Sequence, residues 1–221
     1  MTMKNYDVIL FDLDGTLTDP GEGITNSVAH SLKKYGIDVE DKTSLYKFIG
    51  PPLHESYEVY YGFSREEALK AVDYYREYYR VKGIYENKVY DGIENMLETL
   101  YKSGKKIILA TSKPEVFAKE ILRHFGLSKY FTYVAGANLD GTMTDKAEVV
   151  EYALTEGGVN DRSSAIMIGD RKHDIIGAKK NGIDSIGVLF GYGSKEELET
   201  AGADYIAENT EEICRILGFN S

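Results

Sequence analysis

Four consecutive apolar residues, Val8-Ile9-Leu10-Phe11, run straight into Asp12-Leu13-Asp14-Gly15-Thr16-Leu17-Thr18. An unbroken apolar run of this length reads as a strand buried on both faces, the kind found inside a parallel sheet. Asp12 and Asp14 then stand where the strand ends, on a turn opened by Gly15. Open parallel sheets place their ligand sites at the carboxyl ends of the strands. Two acids at such a point repel each other, and a hard divalent cation such as Mg²⁺, held through oxygen, would compensate. An Asp-Gly pair also makes an ordinary turn, so the segment alone leaves both readings open. The ends of the other strands shift the balance.

Four further segments have strand character: Lys105–Thr111, Ser164–Asp170, Asp184–Leu189 and Asp204–Ala207. Helical patterns lie between them. Ile93, Met96, Leu97 and Leu100 share one face of 93–103. Phe117, Ile121 and Phe125 share a face of 114–125, which opens at Pro114 and stops at Gly126. Val149, Val150, Ala153 and Leu154 mark 145–156. This alternation predicts an α/β fold with a parallel, Rossmann-like sheet. Residues 18–88 break it and read as helices only. Ile24, Val28 and Leu32 mark one helix ending at Gly36. Ser64-Arg65-Glu66-Glu67 has the form of a capping box for another, which runs to about Lys82. The expected organisation is therefore a catalytic core of 1–17 plus 89–221, with an all-α insertion at 18–88. Eleven of the 18 tyrosines fall between Tyr35 and Tyr90, and most should pack that insertion or line its surface. Asn138–Asp145 echoes Asp12–Asp19, but an amide replaces the leading carboxylate and no apolar run enters it, so we read no repeat.

No stretch approaches the roughly 18 apolar residues that cross a bilayer, and no apolar leader precedes the first strand. A single cysteine, Cys214, excludes an internal disulfide and reads as a small buried hydrophobe. Together these favour the cytoplasm. The net charge of −10 argues against a nucleic-acid polymer as partner. A small anionic ligand needs only local cations, helix N-termini or a metal. Nothing sets an oligomeric state, and a monomer is expected.

The strand ends fit one chemistry. The first carries Asp12 and Asp14, the second Thr111-Ser112-Lys113, and the third Gly169-Asp170-Arg171-Lys172-His173-Asp174. Thr144-Asp145-Lys146 opens a helix between the last two. A lysine in a first helical turn faces the positive end of the macrodipole, yet it supplies the cation that the acids lack. Phosphoryl transfer needs positioning and compensating charge. Mg²⁺ can bridge a phosphate oxygen to Asp12 and Asp170. Thr111, Ser112, Lys146 and backbone N–H groups after Asp12 can hold the other oxygens. One carboxylate can attack phosphorus, and a second, two residues on, can move the protons.

Taken in order, Asp-x-Asp-Gly-Thr, the Thr after the second strand, the Lys opening a helix and Gly-Asp-x-x-x-Asp resemble the haloacid dehalogenase superfamily. The insertion resembles that family's helical cap. The resemblance implies Asp12 as nucleophile and Asp14 as general acid and base. It implies Mg²⁺ on Asp12, the Asp14 main-chain carbonyl and Asp170, with Thr111 and Lys146 on the phosphoryl group. Asp174 would ligate through water or orient its neighbours. Dehalogenating members lack an acid at the position of Asp14, so phosphatase chemistry is expected. Phe48–Leu53 together with Ala110–Pro114 looks most like the phosphoglycolate-phosphatase-like branch, which includes pyrophosphatases and nucleoside 5′-monophosphatases. The expected substrate is a small phosphorylated metabolite, with Gly50, Leu53 and His54 as candidate cap contacts. Gly50–Leu53 also reads as a rigid turn between helices, and His54 as a surface residue.

Alternatives remain from the sequence. A phosphosugar mutase or a pyrophosphatase would share the core. A phosphoacceptor receiver module also gathers acids, a hydroxyl and a lysine, but needs no helical insertion. His54-Glu55 lacks the second histidine of a zinc-protease motif, and there is no phosphate-cradling Gly-x-x-x-x-Gly-Lys-Ser/Thr loop or Gly-x-Ser-x-Gly elbow. Gly191-Tyr192-Gly193 reads equally as a pocket border or a plain loop, and Arg171 and Lys172 as solvated charge or phosphate ligands.

Overall fold

The computed structural model of the chain describes residues 4–219. They form two compact units, one of residues 4–18 with 89–219 and one of Asp19–Lys88. β1 (Val8–Phe11) and β2 (Thr18–Asp19) lead into the smaller unit, which holds α1 (Gly21–Lys33), α2 (Leu53–Tyr61) and α3 (Arg65–Tyr78). The chain returns through β3 (Lys88–Val89). It continues through α4 (Ile93–Lys102), β4 (Lys106–Pro114), α5 (Glu115–His124), β5 (Tyr133–Ala137), α6 (Lys146–Glu156) and β6 (Ala165–Gly169). α7 (Lys172–Lys180), β7 (Asp184–Val188), α8 (Lys195–Ala201), β8 (Tyr205–Ala207) and α9 (Thr210–Ile216) complete it.

Six strands form one sheet in the order β5-β4-β1-β6-β7-β8, and each neighbouring pair is parallel. β1 lies inside it, Leu10 opposite Ile108 on one side and Met167 on the other. That position explains the uninterrupted apolar run, because both faces of β1 are covered. Val8 and Leu10 join Ile108, Ala110 and Met167 in a core closed by Val149, Val150 and Leu154 of α6 and Ala178 of α7. Ile9 and Phe11 alternate to the opposite face and are fully buried there.

β2 and β3 pair as a separate two-stranded ribbon, and beside it Tyr90 N donates to Leu17 O at 3.1 Å. The smaller unit thus departs from the chain and rejoins it at one place. Inside it, α3 opens on a complete capping box. Glu67 N donates to Ser64 Oγ at 3.3 Å, and Ser64 N donates to Glu67 Oε2 at 2.9 Å. Phe48 and Tyr57 pack edge to face with centroids 5.0 Å apart. Tyr57, Tyr75 and Tyr79 are buried, whereas Tyr46, Tyr60 and Tyr85 are exposed.

Several sequence expectations change. The insertion is not helices alone, since β2 and β3 bound it and Lys42–Phe48 is a 3₁₀ run. α3 ends at Tyr78 and continues to Gly83 as a π-helical turn. β4 extends past Thr111 to Pro114 across a break in its register with β5. β5 itself, Tyr-Val-Ala-Gly-Ala, escapes apolar patterning because it is short and built mostly from small residues. Cys214 is half-buried rather than fully buried. The His54 side chain is only 12% exposed, not a surface group, and its burial holds the imidazole pKa below the ordinary value.

Packing predicts two graded losses. Leu10→Ala opens a void in a filled core and should cost about 2–5 kcal/mol. Ser64→Ala removes one half of the capping box and should cost about 1 kcal/mol. Urea denaturation of the full chain measures both, and equal losses would contradict this packing.

Candidate active site

The strand order sets the place. From β1 the chain moves outward to β4 and β5, then returns to the other side of β1 for β6, β7 and β8. The direction switches between β1 and β6, where such sheets open a crevice at their carboxyl ends. Asp12 follows β1, and Asp170 follows β6. Asp12 N donates to Ile168 O at 2.9 Å, so strand pairing continues to the first acid. The chain then turns tightly: Leu17 N and Thr18 N both donate to Leu13 O, at 2.9 and 3.0 Å. Gly15 takes φ +84°, and a Cβ there would lie 2.2 Å from Asp170 Oδ2. Only glycine meets both conditions. Gly191 approaches from the opposite side, where a Cβ would lie 2.2 Å from Gly15 O, and Tyr192 N donates to Asp170 Oδ2 at 2.7 Å. The Gly191-Tyr192-Gly193 segment is therefore a wall of this site rather than a plain loop.

Asp12, Asp170 and Asp174 are buried, each offering an oxygen within 4.8 Å of the others. Lys146, the first residue of α6, reaches into this group. Its Nζ donates to Asp12 Oδ1 at 2.7 Å and to Ala110 O at 3.0 Å. It also lies 2.8 Å from Asp174 Oδ1, an ion pair outside hydrogen-bond geometry. Burial alone would weaken the Lys146 ammonium, but Asp12 and Asp174 more than offset it and hold its pKa above the ordinary value. Asp145 caps the same helix by accepting from Ala147 N at 2.8 Å, so the lysine costs the helix little start energy.

The fourth acid has its own cation. Asp14 Oδ2 accepts from Lys113 Nζ at 2.5 Å, and both side chains are largely buried. Burial raises the Asp14 pKa and Lys113 only partly opposes it. Asp170 is pushed up to about 8 by burial, then by Asp174 and Asp12. Burial also raises Asp174, against the pull of Lys146. Asp174 Oδ2 accepts from Arg171 N at 3.0 Å, closing the first turn of α7.

Four carboxylates here face two ammonium groups. One divalent cation would offset the remaining charge, and an all-oxygen donor set suits Mg²⁺.

The structure thus brings together Asp12, Asp14, Lys146 and Asp170, the residues singled out in the sequence. Asp174 stands inside the carboxylate group itself. Thr111 is buried in β4 just before its register break, and its Oγ1 accepts from Lys113 N at 3.3 Å; Ser112 beside it is half-buried. Arg171 pairs with Glu197 at 2.9 Å, which makes it part of the loop's framework. Gly50, with φ +103°, and Leu53 and His54 at the start of α2 belong to the smaller unit. Sequence reasoning placed Lys113 at the second strand's end without a role, and offered Gly191-Tyr192-Gly193 as a pocket border without singling out the Tyr192 amide. Proximity to Thr111 was the one available signal for Lys113; a backbone donor leaves none.

A family model described as haloacid dehalogenase-like hydrolase matches residues 9–188. A 5′-nucleotidase of Pseudomonas aeruginosa is 50% identical over 193 residues, 87% of each chain. The tyrosine-protein kinase PtkA of Mycobacterium tuberculosis is 37% identical over 215 residues, covering 96% of this chain and 72% of that protein. The crystal structure of a phosphatase from Clostridium acetobutylicum, described as predicted, superposes with a TM-score of 0.92 at 52% identity, covering 96% of this chain and 98% of the other. A match that runs from β1 through β7 and over nearly the full length of the Clostridium acetobutylicum structure shows that the chain belongs to the haloacid dehalogenase-like hydrolase family.

Proposed function

We propose that the protein is a Mg²⁺-dependent phosphomonoester hydrolase that works through an aspartyl-phosphate on Asp12. The substrate class is a small phosphorylated metabolite of the nucleoside 5′-monophosphate or phosphoglycolate type. One observation carries the reading: Asp12 is held by Lys146 at 2.7 Å at the switch of the sheet, with a second acid, Asp14, two residues on and separately paired. An anchored carboxylate can be a nucleophile, and a buried carboxyl with a raised pKa can keep a proton to give. The similarity to a 5′-nucleotidase favours the nucleotide end of this range.

In the first step an Asp12 oxygen bonds to phosphorus as the bond to the leaving oxygen breaks. The leaving oxygen keeps that electron pair and takes the proton of Asp14. In the second, Asp14 takes a proton from water, the water oxygen bonds to phosphorus, and the Asp12–phosphorus bond breaks. The products are an alcohol and inorganic phosphate. Lys146 neutralises Asp12 and stands beside the phosphoryl oxygens, while Thr111 and Ser112 offer hydroxyl donors. Mg²⁺ held by Asp12, the Asp14 main-chain carbonyl and Asp170, beside Asp174, would draw charge from the phosphoryl oxygens.

Asp12→Asn keeps the shape of the site and removes the nucleophile. Turnover of p-nitrophenyl phosphate should fall by about a thousandfold or more. Near-normal turnover would rule out the covalent route. A phosphate-release screen across nucleoside 5′-monophosphates, phosphoglycolate and pyrophosphate then orders the substrates.

The acids also predict a pH effect on stability. In the folded, metal-stripped protein Asp170 keeps its proton up to a pH of about 8, whereas an unfolded carboxyl loses it near 4. The folded state binds more protons between these values, so stability falls as pH rises through that window. Chelated protein should therefore melt at a lower temperature at pH 8 than at pH 6. Mg²⁺ should reverse the trend, and Asp170→Asn should flatten it. A melting temperature unmoved by pH and by Mg²⁺ would remove the metal from this site.

A further inference from the structure

The cation on Asp14 is not the cation on Asp12. Lys146 serves Asp12 and Asp174, whereas Lys113 lies 2.5 Å from Asp14 Oδ2. Both Lys113 and Asp14 side chains are nearly closed to solvent, 7% and 12% exposed. Asp14 Oδ1 is buried and has no hydrogen-bond partner among the described residues. The two oxygens of one carboxyl are therefore unequal, one held by an ammonium and one buried without a hydrogen-bond partner among the described residues.

Local backbone explains how Lys113 arrives there. The register between β4 and β5 breaks between Thr111 and Pro114. Such irregularities re-aim side chains at strand ends. Lys113 N donates to Thr111 Oγ1 at 3.3 Å, which fixes the last residues of β4 that carry the lysine. A carboxyl on a turn has free rotation about its last bond unless something holds it. The buried ammonium does so, and it favours one oxygen as acceptor.

We propose that Lys113 is a positioning residue for the proton transfers of Asp14. It holds Oδ2, so Oδ1 is the oxygen that gives its proton to the leaving oxygen and later takes one from water. This inference rests on the aspartyl-phosphate reading above. Its sharpest consequence concerns the leaving group. A nitrophenolate departs without help, whereas an alkoxide needs the proton as the bond breaks. Loss of Lys113 should therefore hurt alkyl phosphates far more than aryl phosphates.

The test compares kcat/KM for p-nitrophenyl phosphate, phenyl phosphate and ethyl phosphate in Lys113→Met, Lys113→Arg and Asp14→Asn. In Lys113→Met the loss should grow with the basicity of the leaving group, reaching about a hundredfold for ethyl phosphate and staying below about tenfold for p-nitrophenyl phosphate. KM for inorganic-phosphate-competed substrate and the Mg²⁺ concentration for half-activity should stay near wild type. Lys113→Arg, which keeps the charge, should recover part of the ethyl phosphate rate. Adding Lys113→Met to Asp14→Asn should cost nothing more, because the residue acts through Asp14. Losses equal across the three esters, or a shift confined to KM or to Mg²⁺ demand, would overturn the proposal and make Lys113 a phosphate contact or a plain support. Should Lys113→Met fail to fold, by thermal unfolding, the same leaving-group slope in Lys113→Arg decides. If Asp12→Asn stays active, the covalent reading itself fails. If that variant is dead while Lys113→Met matches wild type, only the role of Lys113 falls.

Discussion

Carboxylates packed together out of water are costly, and the architecture of the larger unit answers that cost. Burial and mutual repulsion both disfavour the ionised forms of Asp170 and Asp174. The chain brings two lysines to the acids from elements far away in sequence, Lys146 134 positions from Asp12 and Lys113 99 positions from Asp14. Each ammonium takes a different member of the Asp12–Asp14 pair. Two acids spaced by one residue on a rigid turn thereby acquire different environments, which is the condition for giving them different tasks.

The precision comes from backbone more than from side chains. Parallel pairing of β1 with both β4 and β6 fixes the strand ends relative to each other. The Asp12 amide extends that pairing by one bond. Two chain segments then close on Asp170 at distances that exclude a Cβ. Groups held this way need little rearrangement when a charged substrate arrives, which is the physical content of preorganisation.

Much of this was legible in the sequence, for reasons that also mark the limits. Val8–Phe11 announced itself because a strand covered on both faces tolerates no polar interruption. Asp12, Asp14, Asp170 and Lys146 stood out because charged residues at strand ends and at a helix start break an apolar pattern. β5 stayed hidden because small residues there make way for the chain at Glu115, which a Cβ on Gly136 would meet at 2.6 Å. α7 was not marked by periodicity, since a buried acid, Asp174, occupies a position where the pattern would need an apolar residue. The Lys113–Asp14 pair depends on a register break in β4, and nothing local in the sequence encodes where a broken strand aims its next side chain.

The ribbon of β2 and β3 carries a different lesson. To the sheet, everything between Thr18 and Val89 is one loop whose ends are already tied together. Closing a loop costs entropy only as the logarithm of its length. The excursion can thus lengthen, shorten or exchange its contents while the strands that carry the acids register no change. Two kinds of constraint thus meet at the ribbon: the sheet holds its acids to angström tolerances, while the segment between Thr18 and Val89 owes the sheet only a pair of short strands at which it begins and ends.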